Sequence, residues 1–209
     1  MLTSPSARRR SATTDGGPVR LNRLLAELAS DQPAPAGGSA TAATVAIAAA
    51  LLEKVARLSA KQWAAAPAAV ESAGRLRLEA EQLVEADVHA YVGFLAARRQ
   101  ARLLPEPARQ AAIASAFEQT VAVPLAMLKV AMTSVELAAQ LAQHGNPNLH
   151  ADAVTAALLA SAAGVAAARL VAVNLAGTED PRVADAGRLA RSASSLAERL
   201  AGSSGGSAG

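Results

Sequence analysis

Asp87 and Tyr91 stand four residues apart in the stretch LVEADVHAY (83–91), a spacing that puts both on one face of a helix; Glu85 and His89 form a second such pair. A carboxylate beside a phenol can accept a proton, and an imidazole titrates in a useful range. A solvated charged face is the alternative, and it is the better reading for Glu85 and His89. A second polar group lies in GNPNLHAD (145–152). Asn146 and Asn148 can cap the helix that follows, and Asp152 falls in its first turn, where the helix dipole stabilises a carboxylate. Asn174, in VAVNLAGT, is polar within an apolar run and is either a satisfied core amide or a ligand contact. The third feature is the loop Pro33–Ser39 in SDQPAPAGGSATAA. Backbone N–H groups at the start of the next helix can hold an anion or a polarised ring, and glycine permits close approach. A plain connecting loop is the alternative there.

Composition narrows the chemistry further. With no cysteine among 209 residues, a thiol nucleophile, a disulfide framework and a thiolate metal site are excluded. The histidines His89, His144 and His150 show no ligand spacing such as HExxH, so no metal centre is expected. The net charge is +3 and includes the run ARRR at 7–10, but the charge is spread out and aromatics are only 2%. Solvated surface is therefore expected rather than a nucleic-acid interface. Residues 33–52 and 153–168 carry no charge, yet they consist mainly of small residues, and the first holds two prolines. They read as central helices packed through small side chains rather than as membrane spans. No apolar leader follows the arginine run, so cytoplasm is the default placement.

The elements that must position these groups are helices. Alanine supplies more than a quarter of the chain and β-branched and aromatic residues are scarce, which favours helix over strand. Residues 1–18 read as a disordered arm, 19–201 as one folded domain and 202–209 as a flexible Gly/Ser tail. Within the domain the pattern predicts helices over 19–30, from Ser39 as N-cap to about 60, from Pro67 to about 101, and from beyond LLPEPA to the stop HGNPN. Pro124 should kink or split the last of these. Further helices follow over about 149–176 and 180–200. The fold class is all-α: an antiparallel bundle of six or seven helices with two buried alanine-rich helices. Two such apolar helices are hard to cover within one small bundle, which points to a two-fold homodimer.

Taken in order, LASDQPAPAGGSATA, LVEADVHAY, TVAVPLAML, HGNPNLHADAVTAALLA and VAVNLAGTEDP resemble the formiminotetrahydrofolate cyclodeaminase and methenyltetrahydrofolate cyclohydrolase family. The resemblance covers about residues 21–200, and the opening loop followed by Gly-Asn-Pro-Asn at this separation is its specific part. It implies an all-helical, commonly dimeric enzyme that forms or hydrolyses the 5,10-methenyl bridge of tetrahydrofolate, with the folate as substrate carrier and no other cofactor. Neither nucleic acid nor membrane is implied as a partner. Both directions need a proton-moving group and negative charge near a delocalised cation. The resemblance points to Asp87 for that role, with Asp152 as second carboxylate. It also brings in Glu85, because the family commonly has two aspartates two residues apart there. It implies that Pro35, Gly37, Gly38 and Ser39 hold the pterin, with Tyr91, Asn146, Asn148 and Asn174 around the substrate. Lys61 would meet the glutamate tail, although an ordinary surface lysine is the alternative. The loop, Asp87, Asp152 and Asn174 should then converge on one pocket, for which a subunit interface is a candidate place. Ala36, Glu85 and Ala151 depart from the family's usual glycine, aspartate and serine, and His89 and His150 also replace other residues. These departures motivate the alternative of a family-fold protein that has lost this chemistry, or applies it to another nitrogen-containing substrate. Cyclodeamination and hydrolysis use the same cation and similar proton transfers, and the residues do not separate them.

Overall fold

The structure, a computed structural model, describes residues 21–203. The expected arm at 1–18, the first two residues of the first predicted helix and the end of the tail lie outside the described residues. Among the described residues there are six α-helices, two single-turn 3₁₀ helices and no strand. The α-helices are α1 (Leu21–Leu28), α2 (Gly37–Arg57), α3 (Ala66–Gln100), α4 (Ala108–His144), α5 (His150–Asn174) and α6 (Pro181–Ser203).

The core is built where small residues let backbones approach. Helices α2 and α4 pack on each other and each on both α3 and α5, and α6 lies against α4 and α5. Ala48, Ala49 and Leu52 of α2, Met127, Leu128 and Val135 of α4, and Ala156, Ala160 and Ala167 of α5 are almost or wholly inaccessible. Individually such alanines bury little area; their value is that the larger Leu, Val and Met side chains can fill the space between closely spaced helices.

Helices α2, α4 and α5 are each long and apolar enough, by length and composition, to cross a membrane, and half or more of each apolar window is buried inside the bundle. The expectation of two buried alanine-rich helices holds for only one face of α2 and α5. Ile47 on α2 and Leu158 and Val165 on α5 remain exposed, because no element among the described residues covers them.

Two ends of the bundle behave differently. At one end the α4–α5 turn is tied to the end of α2: the backbone N–H of Asn146 donates to Ser59 Oγ at 2.9 Å and its side-chain amide donates to the Leu58 carbonyl at 3.2 Å. Asn146 Oδ1 in turn accepts from the Asn148 N–H, so Asn146 caps the short 3₁₀ turn Pro147–Leu149 rather than α5 as expected, and α5 begins after Leu149 without a side-chain cap. At the other end, the buried residues of α3 stop at Val84 and those of α4 begin at Val121. The intervening hairpin of α3 and α4 thus projects past the core. Helix α4 is not split at Pro124 but continues through it.

Gly145 sits where a Cβ would fall on the Leu141 carbonyl oxygen and 2.8 Å from Ser59 Oγ. Gly145→Ala is therefore expected to lower unfolding stability by about 1–3 kcal/mol, read as a lower urea midpoint with an unchanged slope.

Candidate active site

Helix α2 begins at Gly37 after Ala36, and no side chain caps it. Ser39, expected as the N-cap, lies instead in the first turn and is fully buried. Its hydroxyl donates to Asp87 Oδ2 at 2.8 Å, so the serine serves the carboxylate rather than the helix terminus. Gly38 explains how the acid comes so close. A Cβ built at Gly38 would overlap the Asp87 carboxyl group, so any other residue there would push α3 or its side chain away. Asp87 thus lies against the start of α2, where unpaired backbone N–H groups and the helix dipole favour negative charge.

Burial is the larger influence on its protonation. It raises the Asp87 pKa above the ordinary carboxylate value, and the side-chain and backbone hydrogen bonds from Ser39 pull it only partly back. The result is a carboxylate that is a better base than an exposed aspartate and is held in one place.

This acid faces a cavity of about 460 Å³. One wall is the loop Pro33–Ala34 with Ala36, Gly37 and Gly38; another is Tyr91 and Phe94 of α3 with Phe117 of α4; the third holds Thr120, Pro124 and Asn174. The chain has one Trp, one Tyr and two Phe, and three of these four rings line this cavity. Phe94 and Phe117 meet at 5.9 Å between centroids. A flat ring system fits between such walls.

The third wall has its own logic. Pro124 has no N–H to give to the carbonyl four residues earlier, that of Thr120. Asn174 supplies the missing donor: its Nδ2 bonds the Thr120 oxygen at 2.6 Å. The continuity of α4 through Pro124 and the polar residue near the end of α5 are therefore one feature. Because the carbonyl needs a donor, the amide's orientation is set, and Oδ1 is left without a partner among the described residues. Asn174 is a satisfied amide and a cavity residue at once.

The other sequence-derived candidates fall into two groups. Pro35 is within the loop but does not line the cavity, and Glu85 is exposed on α3 away from it. Two residues along a helix turn a side chain to nearly the opposite side, so Glu85 and Asp87 cannot share the cavity. Asn146, Asn148, Asp152 and Lys61 all belong to the other end of α2. Asp152 pairs with Lys54 at 3.8 Å, and Lys61 is exposed in the turn after α2. At 1.5 Å per residue that end lies roughly 30 Å from Gly38. Within one chain, then, the loop, Asp87, Tyr91 and Asn174 converge, whereas Asp152 does not join them. Ala36 has φ −141°, outside the left-handed region that favours glycine, so alanine at this position carries no positive-φ strain. Phe94, Phe117 and Thr120 were missed as site residues; the scarcity of aromatics in the composition was the signal that could have found the two rings. Among the described residues no cluster of His, Cys, Asp or Glu could hold a metal ion.

The profile of the family described as Formiminotransferase-cyclodeaminase matches residues 20–192. The chain belongs to this family. A curated methenyltetrahydrofolate cyclohydrolase of Methylorubrum extorquens is 32% identical over 177 residues, covering 81% of this chain and 85% of that protein. The crystal structure of formiminotetrahydrofolate cyclodeaminase from Thermotoga maritima superposes with a TM-score of 0.74 at 22% identity, over 87% of this chain and 95% of that one; at that identity the likeness concerns the fold. Membership of the Formiminotransferase-cyclodeaminase family thus rests on nearly the whole folded chain and includes both ends of the bundle.

The carboxyl carbon of Asp87, followed by NMR, is expected to titrate above the usual aspartate range. Ser39→Ala removes a hydrogen bond to the charged form and is expected to move that titration further up. A downward shift would contradict the geometry.

Proposed function

We propose that the protein acts on the one-carbon bridge of a tetrahydrofolate, as a methenyltetrahydrofolate cyclohydrolase or a formiminotetrahydrofolate cyclodeaminase, with Asp87 as the proton-moving group. The observation that carries this reading is the half-buried Asp87 carboxyl at the Gly38–Ser39 turn, facing a cavity with three aromatic side chains. Family membership and the cyclohydrolase relative support the substrate class.

In the hydrolytic direction, water adds to the methenyl carbon and gives one proton to the Asp87 carboxylate; one of the two C–N bonds then breaks as the departing nitrogen takes up a proton and the new hydroxyl loses its own, which leaves a formyl group. In the cyclodeaminating direction, the second folate nitrogen attacks the formimino carbon and loses its proton to Asp87. The formimino nitrogen then departs as ammonia after protonation. The same carboxylate serves both, because each passes beside a cationic carbon that negative charge stabilises. Its raised pKa suits it to give a proton back as well as to take one. Asn174 Oδ1, fixed by the Thr120 carbonyl, is an acceptor for the polar edge of the pterin. The aromatic walls exclude water from the rest of the ring system.

The reading includes a homodimer. Ile47, Leu158 and Val165 are 50%, 45% and 49% exposed and lie on the uncovered face that α2 and α5 share. Helices α2 and α5 run antiparallel, since Lys54 meets Asp152 at one end and Gly37 shares a cavity with Asn174 at the other. A two-fold axis crossing this face near Ile47 buries it against its own copy. It also brings the Lys54–Asp152 end of one copy beside the Asp87 end of the other, which gives Asp152, Asn146 and Asn148 a route to the site that a single chain lacks.

The alternative, a family-fold protein without this chemistry, loses one of its grounds because Ala36 carries no positive-φ strain. Purified protein is expected to remove the methenyltetrahydrofolate absorbance faster than buffer alone, or to create it from 5-formiminotetrahydrofolate. Silence in both assays from folded protein would favour the alternative. Ile47→Asp is expected to halve the mass found by sedimentation, and an unchanged mass would remove the two-fold arrangement.

A further inference from the structure

The hairpin that projects past the core carries charge that nothing in the bundle uses. Arg98, Arg99 and Arg102 gather around Leu95 at a shallow hollow of about 290 Å³. Arg99 Nε donates to the Leu95 carbonyl at 3.3 Å, but none of the three forms an ion pair among the described residues, whereas the nearby Arg109 is paired with Glu106 as well as bonded to the Ala101 and Leu104 carbonyls. Three adjacent guanidinium groups without counter-charge repel one another and cost stability unless an anion is shared between them.

Their position is informative. Asp87, Tyr91, Phe94 and Arg98 follow one another at four, three and four residues, which places them along a single face of α3. The first three line the cavity. The Arg98 guanidinium stacks over the Phe94 ring at 5.7 Å from its centroid, immediately beyond the cavity wall. Along the helix Arg98 lies about 16 Å from Asp87. The face therefore reads, in order, as carboxylate, phenol, phenyl ring and cations. A ligand laid along it would place a proton-transfer centre first, an aromatic spacer second and an anionic end third.

We propose that Arg98, Arg99 and Arg102 form a carboxylate subsite for the glutamate end of a folate whose one-carbon bridge lies at Asp87, with the benzoyl ring of the substrate against the cavity side of the Phe94–Phe117 pair. This rests on the folate reading of the same cavity. Within one chain these arginines, rather than Lys61 at the far end of α2, are the cations nearest the cavity wall. Arginine suits the role because its planar fork can bind a carboxylate through two parallel hydrogen bonds. Because the three groups are exposed, their attraction is screened by salt.

The test is calorimetric binding of p-aminobenzoylglutamate and of p-aminobenzoate to the full chain, alongside turnover of the glutamate-bearing methenyltetrahydrofolate and the tail-less methenyltetrahydropteroate. The wild type is expected to prefer the glutamate-bearing member of each pair. The triple charge removal Arg98→Gln, Arg99→Gln and Arg102→Gln is expected to weaken that preference about tenfold or more, appearing in KM rather than kcat. Added salt should mimic the variant in the wild type. Circular dichroism checks the fold, and Arg75→Gln, remote on α3, is the control. Retention of the full preference by the triple variant overturns the proposal, as does equal weakening for both members of a pair. Arginine-dependent binding of p-aminobenzoylglutamate without any turnover would keep the subsite and remove the reaction. Turnover without arginine dependence would do the reverse.

Discussion

A carboxyl group pressed against the first turn of a helix is the constraint on which the rest of this molecule depends. Asp87 can occupy that place only because Gly38 has no side chain, and it stays there because Ser39 is buried and donates to it. The contact fixes the approach of α3 to α2, and hence the position of every residue further along α3. Tyr91, Phe94 and the arginines beyond inherit their positions from it. Burial keeps the acid's proton affinity high, and the helix terminus keeps its ionised form tolerable. The two influences oppose each other, and burial is the larger. A base poised in this way fits a reaction that both removes and returns a proton near a cation.

The opposite wall shows how a defect in one helix becomes part of a site. Pro124 frees a carbonyl inside the long helix α4, and Asn174 near the end of α5 satisfies it. A buried carbonyl without a donor would cost on the order of 1–3 kcal/mol. The same hydrogen bond orients the asparagine so that its oxygen remains an acceptor. One end of the amide meets a structural need, and in the proposed reading the other end is an acceptor for the ligand.

Much of the fold was legible in the sequence, for physical reasons that can be named. The breaks at LLPEPA and HGNPN are strong stop signals, and α3, α4 and α5 end or begin within a few residues of the expected positions. The loop Pro33–Ser39, Asp87, Tyr91 and Asn174 could be singled out because each is polar or flexible where an apolar bundle needs neither. What the sequence withheld was mostly pairing across elements. Nothing local says that Ser39 bonds Asp87, 48 residues away, or that Asn174 answers the proline at 124. Nor does spacing reveal that the Asn146–Asp152 group lies at the far end of α2 from Asp87. That follows only from the antiparallel course of α2 and α5. Phe94 and Phe117 were passed over because single aromatics usually fill cores, whereas here the core is packed with alanine, valine and leucine.

The most direct test of the central claim is the pH dependence of methenyl-bridge conversion by wild type and by Asp87→Asn, which keeps the shape and an acceptor for Ser39 but cannot take the proton. Asparagine also removes the cost of burying charge: because the folded-state pKa of Asp87 is raised, ionising it costs stability once the pH passes above the unfolded value. The variant should therefore be at least as stable as the wild type at neutral pH. The account predicts a wild-type rate that rises with pH through a pKa above the ordinary aspartate range, and a variant slower by about 10²–10⁴-fold without that limb. A variant that retains both the rate and the limb would show that the proton moves elsewhere.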